Sequence, residues 1–198
     1  MARKVFYSFH YKRDSQRAAQ VRNSHAIANE DEYGVIDSVD WEKIERQGEN
    51  AIKKWINDQL QYTSVTVVLI GAETAEREWV DYEIRQSWIR GNGLVGVNIH
   101  NVKNLDSKTD IAGSNPFYNI LLSNGKPLSS ICKTYDWVND NGISNLGKWA
   151  EEAFQFRSTY TGEKNLMDST SGTSSSSSKN DYSPSNTRII TNPSKPWA

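Results

Sequence analysis

The amino-acid sequence predicts an α/β fold, a doubly wound parallel sheet of five strands. Two observations carry that reading. Strand-like runs rich in β-branched and aromatic residues alternate with segments of helical periodicity from residue 4 to residue 157. A parallel sheet with right-handed helical crossovers produces that alternation. Within it, Ser64-Val-Thr-Val-Val-Leu-Ile-Gly71 is almost entirely apolar, as a strand covered on both faces must be.

The first strand is Lys-Val-Phe-Tyr-Ser-Phe-His at residues 4–10, where aromatic and β-branched residues crowd together. Residues 14–32 form a polar, weakly amphipathic helix with Ala18, Val21, Ala26 and Ile27 as its apolar positions. Tyr33-Gly-Val-Ile-Asp37 is a short second strand ending in an acid, and residues 38–50 are a charged loop holding Trp41 and Gly48. The spacing of Ile52, Trp55, Ile56 and Leu60 marks the second helix. Strand three is residues 65–70, and its helix runs over residues 76–90. Gly91-Asn-Gly93 closes that helix with residues suited to a left-handed cap. Strand four is residues 94–99, strand five residues 132–137, and the last helix residues 145–157. Between strands four and five lies a polar stretch, residues 100–130, of a length that is usually functional or mobile. The folded unit therefore occupies residues 1–157. Residues 158–198 form a Ser-rich tail expected to be disordered, because Ser-Thr-Ser-Gly-Thr-Ser-Ser-Ser-Ser-Ser has nothing to bury.

Composition narrows the function classes. The 198 residues carry a net charge of -1, so no basic field exists to attract nucleic acid or an anionic membrane. No run approaches the ~20 apolar residues of a membrane span. The N-terminal residues are too polar for a secretory signal. The single cysteine excludes an internal disulfide. A cytoplasmic protein is the expectation.

Most motif readings fail on physical grounds. Gly91-Asn-Gly-Leu-Val-Gly96 matches the dinucleotide fingerprint, yet its order is helix, glycines, strand. A pyrophosphate needs the reverse, with a helix N-terminus after the glycines. Three histidines share no ligand spacing and one cysteine makes no zinc set. Cys132 lies in a strand and reads as a small core residue. Phosphoacceptor chemistry needs clustered acids after strand one, where this chain has Ser8-Phe9-His10.

What remains is the carboxyl edge of the sheet, where open α/β folds bind ligands. Trp79 and Glu83 are one helical turn apart just past strand three. Either alone reads as ordinary: a solvated helix glutamate, and a tryptophan in the core. Together with Ser8, Phe9 and His10 after strand one, and Asp37 and Trp41 after strand two, they supply aromatics, hydrogen-bonding groups and one carboxylate. That set suits a flat, sugar-bearing ligand.

Phe6-Tyr-Ser-Phe-His10, the Gly48 loop before a helix, Ser64 leading strand three, and Trp79-Val-Asp-Tyr-Glu83 together resemble a TIR domain. W-x-x-x-E is the pattern of its NAD-cleaving members. More narrowly, Arg3-Lys-Val-Phe-Tyr-Ser-Phe-His-Tyr, Thr63-Ser-Val-Thr-Val-Val-Leu-Ile-Gly, Trp79-Val-Asp-Tyr-Glu-Ile, Gly113-Ser-Asn-Pro-Phe and Tyr135-Asp-Trp-Val-Asn-Asp-Asn-Gly resemble the bacterial TIR-like family of ThsB in the Thoeris anti-phage system. The resemblance covers residues 3–157. Around residues 121–131 the loop is short for the family.

The resemblance implies a flavodoxin-like sheet and an NAD nucleosidase that takes NAD as substrate and needs no further cofactor or metal. Glu83 is then the catalytic carboxylate beside the ribose, with Ser8, Phe9, His10, Asp37, Trp41 and Trp79 as NAD-binding residues. The product is a cyclic or linear ADP-ribose signal for a separate effector. A phage-derived activator and self-association are further implied partners, and residues 38–50 and 100–130 are the expected gates. A non-catalytic TIR assembly module is the alternative, and it has no use for a carboxylate at residue 83. A domain that senses the nucleotide without cleaving it differs only in turnover.

Overall fold

The structure, a computed structural model, describes residues 3–24, 26–27, 32–33 and 43–167. The elements are β1 (Val5–Phe9), α1 (Tyr11–Arg22), β2 (Glu32–Tyr33), α2 (Glu49–Leu60), β3 (Val65–Ile70), α3 (Glu78–Arg90), β4 (Gly93–Asn98), β5 (Thr134–Asp136) and α4 (Gly142–Thr159). They form a parallel sheet in the order β2-β1-β3-β4-β5. The predicted α/β class holds. β1, β3, β4 and β5 carry the sheet, and β2 adds a two-residue pairing of Glu32 with Val5 and Tyr33 with Phe6 at its edge. The order reverses at β1 and β3, the switch point at which such sheets bind ligands.

Strand alternation distributes the core. Val5 and Tyr7 of β1, and Val65, Val67 and Leu69 of β3, pack on one face with Ala18 and Val21 of α1 and with Leu146, Trp149 and Ala150 of α4. On the other face, Phe6 meets Ile52, Ile56 and Leu60 of α2. There Val68 and Ile70 also meet Val80, Ile84 and Trp88 of α3. Helix α3 ends as expected, with Gly91 in the left-handed region at φ 89° and the Asn92 amide donating to the Ser87 carbonyl at 2.9 Å. The glycine motif 91–96 is thus a helix cap followed by a strand.

Three expectations change. Helix α1 stops at Arg22 rather than running to residue 32, because Ser24 Oγ donates to the Val21 carbonyl at 2.5 Å and turns the chain. The stretch between β4 and β5 is anchored, since Val102, Phe117, Ile120, Leu122 and Leu128 are all buried. The chain also keeps contacting the domain beyond residue 157. Tyr160 packs edge-on to Trp88, whose Nε1 donates to the Lys164 carbonyl at 2.8 Å. The Met167 amide donates to Leu121 O at 2.8 Å, and Leu166 bridges Leu122. Residues 168–198, with the Ser-rich run, lie outside the described residues.

These contacts give the first expected result. Ending the chain after Tyr160 removes several backbone hydrogen bonds, each worth about 1 kcal/mol net. The melting temperature should fall by several degrees, at about 2–4 °C per kcal/mol, whereas a chain ended after Met167 should melt like the full one. Equal melting of both truncations would show that residues 161–167 contribute nothing.

Candidate active site

Helix α3 starts directly beyond the carboxyl end of β3 and runs back along the sheet. Its buried side carries Val80, Glu83, Ile84, Ser87 and Trp88. The two polar members of that stripe both find a polar partner on the strand beneath. Ser87 Oγ lies 2.7 Å from Thr66 Oγ1, and Ser8 Oγ donates to Glu83 Oε2 at 2.5 Å. Ser8 is fully buried on β1, opposite Val68 in register, and Glu83 is 8% exposed. Burial raises the Glu83 carboxyl from an ordinary 4.5 to about 8, with the Ser8 hydroxyl pulling the other way. Glu83 is therefore mostly protonated at neutral pH, held by a hydroxyl rather than by a cation.

The remaining sequence-predicted residues are spread around this pair. Trp79 lies one turn nearer the carboxyl edge, half-buried against the Phe6–Ile52–Ile56–Leu60 cluster and edge-on to Tyr82 at 6.1 Å. Phe9 follows Ser8 on β1 and so packs on the opposite face, 6.0 Å from the Tyr11 ring. It is not brought together with Glu83. His10 caps α1 without a side-chain bond, and its Nδ1 is buried without a hydrogen-bond partner. Burial and Arg77 hold the His10 imidazole below its ordinary range, so its 3.9 Å approach to Glu73 is no ion pair. Asp37 and Trp41 lie outside the described residues. Cys132 is a core residue whose thiol burial pushes up to about 12, which excludes it as a nucleophile at neutral pH.

A charged cluster at the same edge went unread in the sequence. Arg13 forks onto Asp110 at 2.9 and 3.1 Å and reaches Glu73 at 2.7 Å. Arg77 shares that Glu73 carboxylate at 3.2 Å. Arg17 is buried and donates to the Val102 and Lys108 carbonyls. Asp14 is fully buried beside it. The spacing of Asp14, Ala18 and Val21 on one helical side was the available signal, an acid on an apolar stripe. Among the described residues, no group of His, Cys, Asp and Glu side chains could hold a metal ion.

The family model "Thoeris protein ThsB, TIR-like domain" matches residues 6–104, which span β1 through β4 and include Ser8, Trp79 and Glu83. The chain belongs to this family. It is also similar to ThsB1 of Bacillus cereus (strain MSX-D12), named as a candidate cyclic ADP-D-ribose synthase. The two are 31% identical over 190 residues, covering 75% of this chain and 99% of that protein. Family membership accounts for the flavodoxin-like strand order. No helix among the described residues of this TIR-like domain is long and apolar enough to cross a membrane.

The Ser8–Glu83 pair yields its own expected result. Ser8→Ala removes the one contact that lowers the Glu83 pKa, so any activity requiring the Glu83 carboxylate should shift its acid limb to higher pH. An unshifted pH profile would mean that Glu83 titration does not govern the activity.

Proposed function

We propose that this TIR-like domain cleaves the bond between nicotinamide and ribose in NAD, with Glu83 stabilising the ribosyl cation. One observation carries the reading: a buried carboxyl group, tied to Ser8 and one turn below Trp79, at the switch point of a family whose relative is named for cyclic ADP-ribose synthesis. Nicotinamide leaves with the bonding pair and needs no general acid. The barrier lies in the electron-poor ribose, as in glycoside cleavage. A carboxylate in a low-dielectric site meets that charge at full strength.

The resting acid is mostly neutral, so its ionisation belongs to the binding step. A cationic nicotinamide ribose beside Glu83 favours the charged form and drives the proton off. Trp79 covers the sugar, while His10 offers a hydrogen bond at the rim. Phe9, on the far face, holds α1 rather than the ligand. With water excluded, another nucleophilic atom of the same molecule captures the cation and a cyclic ADP-ribose isomer results. Water would give ADP-ribose. The product then acts on a separate effector, in anti-phage signalling. A purely assembling TIR module leaves the desolvated carboxyl without a role.

The test is nicotinamide release from NAD by the purified chain, with and without lysate of phage-infected cells, followed across pH. Because kcat/KM reports the free enzyme, it should rise through an apparent pKa of about 8, where Glu83 ionises, and level off above. A profile flat between about pH 6 and 9, or no release under any condition, would overturn the reading.

A further inference from the structure

The first turn of α1 holds a second buried acid that the proposed reaction leaves unused. Asp14 is 0% exposed, and neither carboxylate oxygen has a hydrogen-bond partner. Its group fills the space above the end of β3, where a Cβ on Gly71 would lie 2.2 Å from Asp14 Oδ2. The nearest cation, Arg17, stands 3.9 Å from Oδ1 and is already committed to two main-chain carbonyls. A few residues away on the same β1–α1 connection, His10 Nδ1 is likewise buried and unpartnered. Desolvated acceptors left empty cost stability, because water no longer supplies their hydrogen bonds. Buried polar groups are ordinarily satisfied, and those left unpartnered in a cleft are candidates for a functional site.

We propose that Asp14 binds the vicinal hydroxyls of a ribose, the adenosine ribose of the dinucleotide, on the face of the sheet opposite Glu83. An ionised carboxylate only accepts hydrogen bonds, so its complement is a pair of adjacent O–H donors. Acidic side chains take this role toward nucleotide riboses at other α/β switch points. The inference rests on the reading of NAD as substrate. NAD has two riboses, and among the described residues the β1–β3 edge has one buried acid on either face: Glu83 on the α3 side and Asp14 on the α1 side. Between them at the rim, Arg13 and Arg77 are each about a third exposed and share the Glu73 carboxylate. That carboxylate occupies the place of a diphosphate, which both guanidiniums would grip more strongly.

The route to Asp14 is closed by a strap. Gly113 crosses the end of β3 so tightly that a Cβ there would lie 2.0 Å from Gly71 O. The strap is tied to α1 by Arg13 on Asp110 and Arg17 on Val102 and Lys108. Engagement of Arg13 by phosphate withdraws one of these ties and loosens the strap, while Arg17 keeps its bonds to Val102 and Lys108 and its 3.6 Å approach to Asp110.

Calorimetric binding of ADP and 2′,3′-dideoxy-ADP to the full chain tests this. The wild type should bind ADP at least tenfold more tightly than the dideoxy probe. Asp14→Asn should bind both alike and melt higher than the wild type at pH 8, because it removes a buried charge whose desolvation outweighs the pull of Arg17. An ADP preference that survives in Asp14→Asn, or a wild type that does not distinguish the probes, overturns the proposal. Nicotinamide release reports separately on the substrate. A wild type that releases nicotinamide but ignores the diol sinks only the Asp14 assignment. Diol discrimination without release sinks only the cleavage reading.

Discussion

Glu83→Gln is expected to lower nicotinamide release by ~10²-fold or more, the usual loss when one preorganised electrostatic contact to a developing charge is removed. The same substitution should make the protein more stable. Unfolded, the Glu83 carboxyl ionises near 4.5, and folded only near 8. Below pH 4.5 both states hold the proton and burial carries no ionisation penalty. Between 4.5 and 8 the unfolded state loses its proton first, so stability falls as pH rises, and above 8 the penalty is complete. The shift bounds that penalty at about 5 kcal/mol. The amide keeps the shape, accepts from Ser8 and has no charge to desolvate. Its melting temperature should exceed that of the wild type by several degrees at pH 8 and converge with it near pH 4.5. Parental turnover in Glu83→Gln would end the catalytic assignment. Equal melting curves at pH 8 would show that Glu83 is not buried as described.

Stability and turnover thus oppose each other at one residue. The same opposition is proposed at Asp14, where burial raises the carboxyl to about 6 against the pull of Arg17. The reading of the sequence reached Glu83 and Ser8 because each is fixed by its element. Ser8 lies two residues after Phe6 on a strand, and Glu83 lies one turn past Trp79 on a helix, so period alone places them on one side of the sheet. Period also forbids Phe9 from joining them, since adjacent strand residues face apart. Asp14 and the two arginines at the rim were hidden for a different reason. Asp14 and Arg13 sit in the first turn of a polar helix and Arg77 just before another helix, where charged residues are ordinarily solvated. Only the tertiary fold shows that Gly71 leaves room for a carboxylate and that Gly113 closes over it. Helix α1 was read too long because its stop is a side-chain turn at Ser24, with no glycine or proline to announce it.

Phe117→Ala is expected to cost about 3–5 kcal/mol, the usual range for emptying a buried aromatic site, and so to lower the melting temperature by roughly 6–20 °C. Phe117 is fully buried with Ile120, Leu122 and Leu128 in the cluster that covers Val68, Ile70 and Trp88. The segment from Asn115 is preset for this. Asn115 Oδ1 accepts from the Phe117 amide at 2.9 Å, and its Nδ2 donates to Thr134 Oγ1 at 2.9 Å, fixing the turn to β5. Sequence periodicity could not show this because the anchors sit on irregular backbone, where apolar spacing follows neither 2 nor 3.6. The expected gate accordingly divides in two. Leu105 and Ile111, 81% and 72% exposed, belong to the strap tied by Arg13 and Arg17, so Leu105→Ser should leave the melting temperature unchanged. If Phe117→Ala melts within a degree or two of the wild type, residues 116–128 are not the anchor described, and the whole connection from β4 to β5 becomes available to move.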